Sequence, residues 1–324
     1  MAKKIILDVD TGSDDAVAIM AASLSPEIQL EAVCSVAGNK DIDKTTENSL
    51  RVVQLLGTNT PVYRGNKTPL VKFLCNDRLP IRRIDKKIMQ NGKEVQMHSD
   101  YLDIPKSKIQ EQKTPAPIFY VDYLRNAKEP VTIVAVGPLT NIAMALLIDE
   151  HIVNNIAEII VMGGGYTITN VTPTAEFNIW FDPEAAQIVI NSGAKVVFVP
   201  LDATHEACIT KDDCVRFRGI NTISSNFAAD LCEQRIIVHN ALQPLDIPDA
   251  AAVHDSLAVC YAIDPSVLRD VRHVHCDIGL RDFSEGQTII DPRFYTEEKN
   301  CYFAYSGDRF KYVEMLCEIF QQNE

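Results

Sequence analysis

The residues best placed to do chemistry are four aspartates within eight positions: Asp8, Asp10, Asp14 and Asp15. They stand in Ile5-Ile6-Leu7-Asp8-Val9-Asp10-Thr11-Gly12-Ser13-Asp14-Asp15-Ala16-Val17-Ala18. So much negative charge repels itself, and a folded chain keeps it when a positive group balances it. A divalent cation is the simplest such group, and oxygen-only ligands suit calcium or magnesium. The plain alternative is a solvated acidic loop, and the apolar flanks on both sides weigh against it. Residues 5–7 read as a buried strand, and Asp14 onward reads as a helix through Ala16, Val17, Ala18, Ile19 and Met20. Gly12 then makes a tight strand-to-helix turn, with Asp14 and Asp15 in the first helical turn. The carboxylates gather at the carboxyl end of a strand, where open α/β sheets place their ligands.

The elements that must hold them alternate along the chain. Strands are predicted at residues 29–36, 131–136, 156–162 and 195–199. Helices are predicted at 45–56, 118–126, from Pro138 to about 148, from Asp182 to 190, across most of 210–237, at 254–263 and at 310–321. Residues 64–112, rich in Lys, Arg, Asp and Gln, read as loops with one short helix, and 271–312 as short strands. Repeated βα units with apolar strands imply an α/β fold whose mostly parallel central sheet carries helices on both faces. No repeat, low-complexity tract or linker divides the chain, so 1–324 reads as a single domain.

Composition narrows the partners. The 324 residues are 46% hydrophobic and 23% charged, an ordinary globular balance. A net charge of −13 argues against a nucleic-acid partner and against an anionic membrane surface. No apolar run reaches the length of a membrane span. Met1-Ala2-Lys3-Lys4 runs straight into the first strand, which leads to the expectation of no signal peptide and a cytoplasmic protein. The nine cysteines show no C-x-x-C pair, as expected of reduced, mostly packed thiols.

Other polar residues fall where strands end. Ala37-Gly38-Asn39 puts an amide at one end. Val136-Gly137 leaves a carbonyl free at another, since Pro138 has no N–H to pair with it. In Thr174-Ala175-Glu176-Phe177-Asn178, Glu and Asn two apart share one side of an extended segment. Val253-His254-Asp255-Ser256 sets an imidazole beside a carboxylate at a helix start. Each alone has a dull reading: Asn39 and Asn178 as turn residues, Glu176 as surface, Asp255 as an N-cap, His254 as structural, and Gly163 to Gly165 as a tight turn. Their joint occurrence at strand ends favours a site.

These stretches resemble the inosine-uridine preferring nucleoside hydrolase family. The resemblance rests on the Asp8 to Ala16 segment, Val36-Ala37-Gly38-Asn39, Val136-Gly137-Pro138-Leu139-Thr140-Asn141, Met162-Gly163-Gly164, Asn170, Ala175-Glu176-Phe177-Asn178, Asp182-Pro183-Glu184-Ala185-Ala186 and His254-Asp255. They occur in family order and cover essentially the whole chain. The resemblance implies a Rossmann-like, nucleoside-hydrolase fold that cleaves the N-glycosidic bond of ribonucleosides to ribose and base, in nucleoside salvage. It implies a calcium ion held by Asp10, Asp15, Asp255 and the Val136 carbonyl, with Asp8 supporting from behind. Asp14, Asn39, Asn170, Glu176 and Asn178 would grip the ribose, with Met162 lining the same pocket. Cleavage builds an oxocarbenium-like charge that an acidic pocket stabilises. The metal would orient the ribose and acidify a water, Asp10 would be the general base, His254 would protonate the leaving base or help another acid do so, and Asn178 would polarise the ribose. A homodimer or homotetramer is the implied assembly.

The chain departs from the family in two places. Met97-His98-Ser99-Asp100-Tyr101-Leu102 stands where many members carry His-Gly followed by Gly-Leu. Residues 235–253, where members vary their base contacts, hold Arg235, His239, Asn240 and Gln243 but no Tyr or Trp, which points to a pyrimidine or broad base preference. Two rival readings compete. A phosphotransferase of the haloacid dehalogenase type also opens with Asp-x-Asp, but it wants Thr or Val where Gly12 stands and has no use for Asp14-Asp15. A non-catalytic nucleoside-binding protein would lack Asp10, His254 or a metal ligand, and all are present. Hydrolysis of an unusual ribosyl compound is a third, related reading.

Overall fold

Short runs of Val, Ile and Ala, bounded by turn residues, build the sheet. The computed structural model describes residues 2–75, 78, 87–90, 92–293 and 298–322. In chain order the first elements are β1 (Lys3–Val9), α1 (Ser13–Leu24), β2 (Ile28–Ser35), α2 (Ile42–Leu56) and β3 (Val62–Arg64). A hairpin of β4 (Ile88–Gln90) and β5 (Lys93–Val95) follows. Next come α3 (Ala116–Arg125), β6 (Val131–Ala135), α4 (Thr140–Ile148), β7 (Ile156–Met162), α5 (Phe177–Phe181), α6 (Pro183–Ile190) and β8 (Val196–Val199). Then come α7 (Leu201–Glu206), β9 (Ile209–Thr210), α8 (Lys211–Ile220), α9 (Ile223–Leu242), β10 (Ala250–Ala251) and α10 (His254–Ile263). The chain closes with β11 (Leu268–Val274), β12 (Cys276–Ile278), β13 (Thr288–Ile290), β14 (Cys301–Gly307) and α11 (Arg309–Phe320).

Eight strands form the main sheet in the order β11-β14-β8-β7-β6-β1-β2-β3. All neighbours are parallel except β11, which runs antiparallel to β14 at the edge. Side chains alternate between two cores because successive strand residues face opposite sides. Ile5, Leu7 and Val9 pack with Val17 and Met20 of α1, Phe227 of α9, Leu257 of α10 and Leu316 of α11. Ile6 and Ile133 pack on the other face with Tyr120 of α3, Ile142 of α4 and Val189 of α6. Helices therefore cover both faces, as the apolar strands require.

The connection order reverses between β1 and β6. From β1 the chain steps outward to β2 and β3, and from β6 it steps the other way to β7 and β8. The loops leaving β1 and β6 therefore part, opening a crevice at their carboxyl ends. In register, Asp8 faces Ala135 across this pair, so Asp10 and Val136 leave the sheet side by side.

Several sequence expectations are corrected. Residues 64–112 contain the end of β3, a 3₁₀ turn at Lys72–Leu74 and the β4–β5 hairpin. Within that stretch, 76–77, 79–86 and 91 lie outside the described residues, as do 294–297 of the last segment. The helical stretch from 210 breaks at Asn221, whose φ of 62° ends α8 in the left-handed region before Thr222 caps α9. Glu176 and Asn178 do not share an extended segment: Glu176 is the N-cap of α5, and Asn178 lies within that helix.

Candidate active site

The site starts with the turn between β1 and α1. Asp15, at the third helical position, accepts the N–H of Asp10 on Oδ1 (3.0 Å) and that of Gly12 on Oδ2 (2.8 Å). Its carboxylate thus closes the turn and caps the helix. Asn39, from the loop after β2, donates its N–H to Asp10 Oδ2 (2.6 Å) and its Nδ2 to Asp15 Oδ2 (3.2 Å). Asp10 Oδ1 is buried and has no hydrogen-bond partner among the described residues. Asp8 points to the opposite face of the sheet, where Tyr120 Oη (3.0 Å) and Asn141 Nδ2 (3.0 Å) donate to it.

A second wall comes from β6, β7 and α5. Glu176 accepts the N–H of Asn178 (2.9 Å), Gly164 (3.0 Å) and Ile179 (3.2 Å), fixing the start of α5 against the glycine turn. Asn178 Nδ2 donates to the carbonyls of Val136 (2.8 Å) and Met162 (3.1 Å). Both its amide hydrogens are spent there, so the group it keeps for a ligand is the acceptor Oδ1. The Val136 carbonyl is therefore not free, contrary to the expectation from Pro138; one lone pair holds Asn178 and the other remains. Asn170 accepts the Phe177 N–H (3.0 Å) on Oδ1.

The third wall is α9 and α10. His254 and Asp255 open α10, whose N-cap is Val253, so Asp255 is not a cap. His254 Nδ1 meets Thr204 Oγ1 at 2.7 Å. Three imidazoles stand together, with ring centroids of His205, His239 and His254 5.8–6.1 Å apart. His98 also enters: Ser13 N–H donates to its Nδ1 (3.3 Å), and a Cβ on Gly12 would collide with that ring.

These walls enclose a cavity of about 540 Å³. Asp14, Asn39, Val136, Met162, Asn170, Glu176, Asn178, His254 and Asp255 line it, while Asp10 and Asp15 lie beneath it, 0–1% exposed. The expected site residues are thus assembled at one crevice. The lining also includes His98, Phe177, Arg235, His239 and Gln243, of which Arg235, His239 and Gln243 come from the segment where the family varies its base contacts. Arg235 and His239, four positions apart in α9, share one face, and Gln243 follows as the residue that caps the helix. Asn240 turns away to Asp249 Oδ1 (2.9 Å). Phe177 of α5 also lines the cavity.

Burial sets the electrostatics. It raises the Asp10 carboxyl well above the carboxylate range, with Asp15 adding repulsion, and it raises Asp15 to about 6. Asp255 is raised by burial and then by Asp14, Asp15 and Asp10, and Glu176 is raised to about 7 by burial. Oxygens of Asp14, Asp15 and Asp255 lie within 4.8 Å of one another. Asp14, not Asp10, completes this group, and its all-oxygen donor set fits a hard divalent cation.

The imidazoles respond oppositely. Burial lowers His205 to about 4 and His239 to about 3. Unfolding lets each take a proton near its ordinary 6.5, so between about 4 and 6.5 the unfolded chain binds more protons. Stability therefore falls as pH drops through this window and is fully present above it, with a slope of ~1.4 kcal/mol per pH unit per imidazole. Denaturant unfolding at pH 5 and pH 7 should show a smaller acid loss in His205→Gln than in the parent; an equal loss contradicts this.

The fold is that of a nucleoside hydrolase, an α/β enzyme that parts a base from its ribose. The chain belongs to the inosine-uridine preferring nucleoside hydrolase family, whose profile matches residues 5–314. It is 36% identical to the pyrimidine-specific ribonucleoside hydrolase RihA of Enterobacter sp. (strain 638) over 99% of both chains. It is 35% identical to RihA of Escherichia fergusonii over 98% of both. Among solved structures, a plant nucleoside hydrolase, the PpNRh1 enzyme, superposes with a TM-score of 0.86 at 26% identity, covering 99% of both chains. The purine-preferring ribonucleoside hydrolase from Gardnerella vaginalis gives 0.85 at 29% identity, covering 98% of this chain and 99% of that one. No helix among the described residues is long and apolar enough to cross a membrane.

Proposed function

We propose that residues 1–324 form one catalytic domain that hydrolyses ribonucleosides with a calcium ion, favours pyrimidine bases, and serves cytoplasmic nucleoside salvage as a homodimer or homotetramer. The observation that carries the catalytic reading is the gathering of Asp14, Asp15 and Asp255 oxygens within 4.8 Å of one another, with Asp10, whose buried Oδ1 has no partner among the described residues, tied to Asp15 through its N–H. Asp10, Asp15, Asp255 and the second lone pair of the Val136 carbonyl would hold the ion. When bound, calcium acidifies a water and draws the ribose hydroxyls toward it.

The protein's own groups do the rest. Asp14, Asn39, Glu176 and the Asn178 Oδ1 acceptor take the ribose hydroxyls, and Asn170 and Met162 border the same space. As the C1′–N bond breaks, positive charge grows on the ring, and the acidic floor stabilises it where it develops. Asp10 takes a proton from water as its oxygen bonds to C1′. His254, its Nδ1 held by Thr204 and its ring kept uncharged by burial, offers Nε2–H as a hydrogen bond to the departing base and aids its protonation by water, so the base leaves neutral. The pyrimidine preference draws on the RihA relatives and on the absence of Tyr or Trp from the α9 wall.

The test is ribose release from uridine, cytidine, inosine, adenosine and guanosine. The proposal expects release from uridine and cytidine to exceed that from the purine nucleosides. Release fastest from purines overturns the preference. No release from any of them, by folded and calcium-loaded protein, points to an unusual ribosyl substrate or a binding role.

A further inference from the structure

Arg235 is among the largest fully buried side chains, at 1% exposure, and it sits in α9, not in the β1–α1 turn that carries the aspartates. Its Nη1 lies 2.9 Å from Asp14 Oδ1 and donates to Ser13 Oγ (3.0 Å), while its Nε donates to the Ala252 carbonyl (2.9 Å). Ser13 Oγ in turn donates to the Met97 carbonyl (3.1 Å). One guanidinium thus joins the start of α1, the middle of α9 and the chain just before α10. Its rigid fork suits such a junction better than an ammonium. It also places a permanent positive charge against a cluster of buried carboxylates, where charges act strongly.

We propose that Arg235 is a positioning residue: it sets the Asp14 carboxylate for the ribose and supplies the cluster's fixed cation, which weakens calcium binding while keeping the metal-free site assembled. The proposal rests on the reading of these aspartates as a calcium site. Two consequences pull in opposite directions. Removing the charge relieves repulsion of an incoming divalent ion, so cation affinity rises. Removing the fork frees Asp14, so the ribose grip weakens. A merely structural arginine would weaken both.

The test uses the full chain, stripped of metal, with calcium titrated calorimetrically and uridine kinetics measured at saturating calcium. Arg235→Met should bind calcium about tenfold or more tighter than the parent. Its KM for uridine should rise about tenfold, with kcat changing less. Its metal-free thermal midpoint should fall, and calcium should restore more of it than in the parent. Arg235→Lys keeps the charge without the fork, so it should keep the parent's calcium affinity and still raise KM. Unchanged or weaker calcium binding by folded Arg235→Met overturns the proposal, as does an unchanged KM in both variants. If Arg235→Met does not fold, Arg235→Lys decides: calcium affinity changed more than about threefold overturns the assignment. A parent that binds no calcium overturns the calcium site itself and this proposal with it, an outcome distinct from a parent and Arg235→Met that bind it equally.

Discussion

Asp10→Asn is expected to fold normally and to lose about 10³- to 10⁴-fold in kcat on uridine. The substitution preserves shape in a place with no spare room: Asp10 Oδ2 takes the Asn39 N–H at 2.6 Å, and a Cβ on Gly38 would collide with it. An amide oxygen can keep that bond, and the Asp10 peptide N–H still reaches Asp15 Oδ1. What is lost is one carboxylate oxygen, the buried Oδ1 without a partner among the described residues, to which the proposal gives the roles of proton acceptor and cation ligand. Circular dichroism and the thermal midpoint check the fold, and ribose release at saturating uridine checks the rate. Activity within tenfold of the parent would remove Asp10 from its role as base.

Glu285→Gln is expected to cost stability instead, by about 3–5 kcal/mol, because it breaks a buried ion pair from one side. Glu285 is 4% exposed; its Oε1 lies 2.7 Å from Lys72 Nζ and its Oε2 accepts from Arg78 Nε at 3.2 Å. Lys72 Nζ also donates to the Trp180 carbonyl (2.7 Å), and Arg78 reaches Glu184 (2.7 Å) and the Leu280 carbonyl (3.1 Å). This network pins the 3₁₀ turn after β3 to α5, α6 and the loop between β12 and β13. Burial already pushes the Lys72 amine down to about 8, so losing its carboxylate leaves a charge the site holds poorly. For a chain of this size the thermal midpoint should fall by about 10 °C. The double variant Lys72→Met with Glu285→Gln should fall less than the two singles summed, since it leaves one fewer unpaired charge. A loss under about 1 kcal/mol in Glu285→Gln would show that Arg78 and Glu184 carry the network without it.

The legible parts of this molecule are those where one stretch of sequence carries its own geometry. The aspartates could be placed because strand, Gly12 turn and helix start are contiguous, and the β6, β7 and β8 strands because four to seven apolar residues stand between turn signals. Asn39, Glu176, Asn178 and Asp255 could be gathered because parallel strands deliver their carboxyl ends to one edge. The sequence marks Arg235 only as part of the base-contacting segment; its pairing with Asp14 does not show because the two come from distant elements. Helix α5 spans five residues, too few for a 3.6-residue period to show, so Glu176 and Asn178 were read as extended. The Val136 carbonyl was read as free because the donor that finds it, Asn178 Nδ2, belongs to that same unread helix. His98 and His239 stand in segments the family resemblance marks, but His205 has no local signal, and that the three come together does not show in any one segment.

The central claim is that the carboxylates around Asp10 hold a calcium ion that nucleoside hydrolysis requires. The direct measurement is ribose release from uridine by metal-stripped protein as calcium is added back, with magnesium in parallel. The account predicts almost no release without metal and saturable recovery with calcium. It predicts weaker recovery with magnesium, because the proposed ligands are several carboxylate oxygens and a carbonyl drawn from three separate parts of the chain, a set suited to calcium's larger and more flexible shell. Full activity in the stripped protein, unmoved by either cation, would contradict it.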